Sequence, residues 1–171
     1  MKISNHLPHF RKNTLLITAG KQEACFYLSS NEHVRQTPGI KLKKPQFTDR
    51  EGYFEQRGGG RTFGSGSVYE SQDEETTRAF IKQLSDAAGT IVQENDVQSI
   101  YLFCPTYLAN QIEKSMPRDM QVKIEYIFYG NYHHQHPFVL LAKIKEFMRV
   151  ETSERKIEPI KDEAWKILNN S

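Results

Sequence analysis

The sequence predicts an α/β fold in which an antiparallel meander is followed by an αβαβα half, both feeding one mixed sheet. Three observations lead there. Two β-branched and aromatic runs stand at hairpin spacing near the start. Apolar strand-like runs alternate with helical periodicities in the second half. A long glycine-rich stretch separates the two parts.

The first two runs, residues 14–18 (TLLIT) and 23–29 (EACFYLS), are joined by Ala-Gly-Lys-Gln, a glycine-containing connection short enough for antiparallel pairing. A third short run at 33–36 and a fourth at 40–43, bounded by Asn31 and by Pro38-Gly39, complete the meander. Residues 46–68 carry no sustained apolar period and hold six of the chain's ten glycines, so they read as a long, mobile loop. Ser71-Gln72-Asp73-Glu74 has the pattern of a capping box, with acidic residues where a helix dipole favours them, and a helix is expected to begin there. Its face is Phe80, Ile81, Leu84, Ala87, Ala88, Ile91 and Val92.

Residues 99–104 (SIYLFC) form a continuous apolar run stopped by Pro105, as expected of a central strand covered on both faces. Leu108, Ile112 and Met116 mark a helix over 106–116. Residues 122–128 read as the next strand and 137–148 as the next helix, with Pro137 in its first turn. Strand and helix alternate here, which implies parallel strands beside the meander, the ribonuclease-H-like plan. The domain is therefore expected over 1–149. Residues 150–171 read as a polar linker over 151–158 and a short amphipathic helix with Ile160, Ala164, Trp165, Ile167 and Leu168, which either docks back or binds a protein partner.

Composition narrows the function. The chain has 171 residues, 37% hydrophobic and 26% charged, enough for one core without disulfides or a structural metal. No stretch approaches the roughly 20 apolar residues of a membrane span, and the first eleven residues lack the apolar run of a signal peptide, so a cytoplasmic protein without membrane partners is expected. Cys25 and Cys104 lie far apart in apolar runs and read as reduced, buried thiols. The net charge of +2 hides a local excess: residues 41–61 carry six Lys or Arg, among them Lys43 and Lys44, against three Asp or Glu.

A two-metal nuclease needs carboxylates on its central strands, and neither TLLITAG nor SIYLFCP has one. The segment Arg57-Gly58-Gly59-Gly60-Arg61-Thr62 lacks the Lys-Ser/Thr ending of a nucleotide-binding loop. Its chemistry suits a polyanion instead: glycines let backbone N–H groups approach phosphates, and Arg57 and Arg61 can fork onto them. The bland reading of the same segment is a solvated loop with no partner. In Tyr132-His133-His134-Gln135-His136 the imidazoles suit a transition metal. However, adjacent histidines in an extended segment point opposite ways, and no carboxylate or Cys lies near in sequence. The segment is therefore read as a polar approach to the last helix, or as a place where Tyr129, Tyr132 and the histidines stack on bases. No metal or other cofactor is expected.

The meander, a Gly-Gly-containing loop, an acidic-capped helix and then βαβα resemble the middle domain of the archaeal and eukaryotic class-one peptide release factors and their bacterial host-attachment-protein-like relatives. The likeness covers roughly residues 13–149. It implies a translation-related, RNA-associated module on the ribosome or tRNA, with Lys43, Lys44, Arg57, Gly58, Gly59, Gly60 and Arg61 as the contact. In that family the loop carries Gly-Gly-Gln. Here Gly58-Gly59-Gly60-Arg61 has no Gln after its glycines and Gln56 precedes them, so peptide release is not expected. The alternative is a peptidyl-tRNA or other ester hydrolase in which loop N–H groups and Arg61 stabilise an oxyanion.

Overall fold

A computed structural model describes residues 1–42 and 66–168, the side chains of 66–73 and 153–168 excepted. Its elements are β1 (Phe10–Ala19), β2 (Glu23–Asn31), β3 (His33–Lys41), α1 (Gly66–Glu94), β4 (Ser99–Cys104), α2 (Thr106–Ser115), α3 (Arg118–Gln121), β5 (Ile124–Tyr129) and α4 (Pro137–Leu168). The five strands form one mixed sheet in the order β3-β2-β1-β4-β5. The β1–β2 and β2–β3 pairs are antiparallel, and the β1–β4 and β4–β5 pairs are parallel. This is the ribonuclease-H-like arrangement expected from the element order.

Alternation along the strands divides the core into two layers. Leu15, Ile17 and Ala19 of β1, with Ile100, Leu102 and Cys104 of β4, face Phe80, Leu84 and Ala88 of α1 and Leu108 and Ile112 of α2. The intervening Leu16, Tyr101 and Phe103 face Leu140, Leu141 and Ile144 of α4. All six residues of β4 are buried, the signature of a strand flanked by neighbours and covered on both faces.

The structure corrects four expectations about element boundaries. The two short runs at 33–36 and 40–43 are one strand, β3, running through Pro38 and Gly39. β3 lies at the sheet edge, where a missing ladder N–H is tolerated. The register slips there, with Ala24 opposite Ile40 but Phe26 opposite Thr37. A Cβ at Gly39 would lie 2.6 Å from the Ala24 carbonyl oxygen, so this irregularity requires a residue without a side chain. The helix expected to start at Ser71 begins at Gly66, which places the capping-box residues inside α1. Once nucleated, a helix gains a hydrogen bond with each added residue, and nothing in 66–70 is a proline. The polar stretch 151–158 belongs to α4 instead of a linker. Its Glu, Arg and Lys are good helix formers, and polarity by itself ends no helix. Finally, β5 starts at Ile124, because residues 118–121 close a helical turn and leave Val122 82% exposed.

Lys43, Lys44, Arg57, Gly58, Gly59, Gly60 and Arg61 lie outside the described residues, as does most of the stretch 46–68 read as a mobile loop; its last three residues, 66–68, are instead the start of α1. Trp165 is on the backbone of α4, and its side chain is outside them too.

Candidate functional site at the carboxyl edge of the sheet

β1, β4 and β5 run parallel, and β3, twice reversed from β1, runs the same way. Their carboxyl ends therefore share one edge. In open α/β sheets that edge is where ligands are received, because the connections leave it as loops free to vary.

Three connections meet there. The β1–β2 turn is closed by Gly20 N–H donating to the Glu23 carbonyl at 2.8 Å. The segment after β3 starts beside it, with Leu42 N–H donating to the Gln22 carbonyl at 2.9 Å. The loop after β5 begins with Gly130 N–H donating to the Cys104 carbonyl at 3.0 Å. That loop is anchored by an aromatic ladder: Phe128 stacks on Phe103 at 4.6 Å, and Tyr132 meets Phe103 edge-on at 5.4 Å.

The histidines do not point opposite ways. Gln135 N–H donates to the Tyr132 carbonyl at 2.9 Å, closing a turn whose two corner residues are His133 and His134. Their rings consequently lie on the same side, with centroids 3.9 Å apart. The fold also supplies the missing carboxylate from 110 residues upstream: donor atoms of Glu23, His133 and His134 all lie within 4.8 Å of one another. Cys25, two residues along β2, hydrogen-bonds through Sγ to the His133 carbonyl at 3.7 Å and fastens the turn to the sheet. His136 stands apart. Its Nδ1 accepts from the Phe138 N–H at 3.3 Å and so caps the start of α4.

Electrostatics separate the members of the cluster. Lys41 Nζ lies 2.5 Å from the Glu23 carboxylate and, by this hydrogen bond, holds it below the ordinary carboxylate range. Burial, followed by the neighbouring His134, pushes the His133 imidazole below its ordinary value, against a smaller upward pull from Glu23. Of the residues read as base-stacking, Tyr129 is 58% exposed at this edge, whereas Tyr132 is half-buried against Phe103. Tyr107, in the first turn of α2 just past the end of β4, adds a second ring at 61% exposure. Sequence reasoning missed Glu23 and Tyr107 because nothing local marks either. The signal that points to Glu23 is the hairpin spacing, which brings it back to the end of β1.

Fold and site together define a layered α/β protein whose candidate site lies at the carboxyl ends of its parallel strands. No family model and no curated protein matches the chain by sequence. Among solved structures it is similar to the archaeal translation termination factor aRF1, with 12% identity and a TM-score of 0.49 over 90% of this chain and 42% of that one. It is also similar to a second archaeal protein, with 10% identity and a TM-score of 0.45 over 86% and 40%. The chain thus spans less than half the length of either, and likeness at this level carries no activity, substrate or partner from those proteins to this one. No helix among the described residues is long and apolar enough to cross a membrane.

Proposed function

We propose that the chain is an RNA-associated module that works in the cytoplasm on the ribosome or on tRNA without releasing peptide. Its contact is the basic segment holding Lys43, Lys44, Arg57, Gly58, Gly59, Gly60 and Arg61. The observation that carries this reading is where that segment is rooted. The Leu42–Gln22 hydrogen bond starts it at the carboxyl edge of the sheet, the same edge that carries exposed Tyr107 after β4 and Tyr129 at the end of β5, which lie across the strand order from β3. Cations that attract phosphates and rings that stack on unpaired bases are the two elements of single-stranded RNA recognition. The order of elements and the position of the glycines, as in release-factor middle domains, favour ribosomal RNA or tRNA as the target.

Catalysis through Cys104 is disfavoured. Cys104 is fully buried, and burial pushes its thiol up to about 12, far from a nucleophilic thiolate at pH 7. Neither β1 nor β4 carries a carboxylate at the places a two-metal nuclease uses.

Co-sedimentation with ribosomes at low and high salt tests the proposal. Binding is expected to fall with salt, and Arg57→Gln with Arg61→Gln is expected to weaken it and flatten the slope of log affinity against log salt by roughly one unit per lost contact. Unchanged affinity and slope in the double variant would overturn the contact, and peptide released from a purified peptidyl-tRNA complex would favour the hydrolase instead.

A further inference from the structure

We propose that Glu23, His133 and His134 form a site for a divalent transition-metal ion of the zinc type, independent of any RNA contact.

The donor set is two imidazoles and one carboxylate, a combination suited to zinc and its neighbours and unsuited to magnesium or calcium, which take oxygen ligands. Tetrahedral coordination at about 2.0–2.1 Å needs donor atoms about 3.4 Å apart. The three present lie within 4.8 Å of one another, so closure asks for about an ångström of side-chain movement. His134 is exposed and Glu23 only half-buried, and both are free to supply it. His133 is the fixed member, seated against Gly20.

The ring of His133 is also held for ligation. Its Nδ1 lies 2.5 Å from the Asn131 side-chain oxygen, which can only accept a hydrogen bond. The proton therefore sits on Nδ1 and the Nε2 lone pair is free, the outer-shell arrangement that orients metal-binding imidazoles. Three protein donors leave one tetrahedral position for water or an added ligand.

Lys41 is the competitor. Its ammonium pairs with Glu23 from a side chain that is 72% exposed, so it can swing into solvent when a dication takes the carboxylate. Removing that charge should therefore strengthen metal binding, whereas removing an ordinary surface lysine would not.

The experiment is calorimetric titration of the tag-free full chain with zinc chloride, with cobalt(II) absorption as a second readout. One zinc ion per chain is expected. His133→Ala, His134→Ala and Glu23→Gln should each weaken binding by more than about tenfold, since losing a ligand costs at least as much as losing an outer-shell partner. Lys41→Gln should tighten it several-fold. His136→Ala, which changes the α4 cap alone, should leave it unchanged, and circular dichroism confirms that each variant is folded. The proposal is overturned by absence of saturable zinc binding, by equal loss in His136→Ala, or by an unchanged affinity in both Glu23→Gln and Lys41→Gln. The protein is titrated without RNA, so failure here leaves the ribosome reading untouched, and the reverse holds.

Discussion

Gly20 and His133, at opposite ends of the chain's sheet-forming part, are in contact: a Cβ at Gly20 would lie 3.0 Å from Cγ of the His133 ring. The absence of a side chain in the β1–β2 turn is thus what lets the loop after β5 lie down on the sheet. Gly20→Val should expel the imidazole while leaving the buried strands intact. The expected result is a near-native far-ultraviolet circular dichroism spectrum with a shifted His133 ring resonance. An unmoved ring signal would mean that the turn gives way and the contact is incidental.

Leu102 is the central apolar side chain of β4, fully buried between the sheet and α1. Leu102→Ala leaves a cavity with neighbours on every side, and a loss of about 2–5 kcal/mol is expected in denaturant unfolding. A loss below about 1 kcal/mol would show that the layer relaxes around it.

β4 was legible in full because continuous burial makes a continuous apolar run, and Pro105 marks its end. The hairpin was legible in Ala-Gly-Lys-Gln. The start of α1, the length of α4 and the unity of β3 were not. Backbone hydrogen bonding and an edge position decide those, and neither leaves a local residue pattern: Pro38 stops a central strand but not an edge one. The site shows the same division. His133 and His134 stand out in the sequence, yet their orientation depends on a turn, and their carboxylate arrives through the pairing of β1 with β2.

Thr18 is fully buried, and its hydroxyl has no hydrogen-bond partner among the described residues. An unmet buried hydroxyl costs about 1–3 kcal/mol, while valine has nearly the same shape. Thr18→Val should raise stability by about 1 kcal/mol, seen as a rise of about 2–4 °C in Tm for a domain of this size. Destabilisation by a similar amount would reveal a partner for the hydroxyl.

The two cysteines should differ sharply in reactivity. Cys25 is half-buried at the edge of the α4 layer, whereas Cys104 is fully buried and its thiol is pushed by burial from 9.0 to about 12. Alkylation at pH 8 should therefore modify Cys25 in the native protein and reach Cys104 only when the chain opens, so that Cys104 labelling follows global unfolding. The same shift sets a pH dependence. The folded state holds the Cys104 proton more tightly than the unfolded chain, so this contribution to stability is complete below about pH 9 and is lost as pH rises through about 12. Tyr101, raised from 10.0 to about 12 chiefly by burial and then by Glu125 and Glu151, acts in the same direction in an overlapping window. Denaturant midpoints should fall progressively above pH 9, and Cys104→Ala, though less stable at neutral pH, should show a shallower fall. An equal slope in the variant would mean that the thiol takes no part, and rapid native-state alkylation of Cys104 would place it at the surface instead of under α1 and α2.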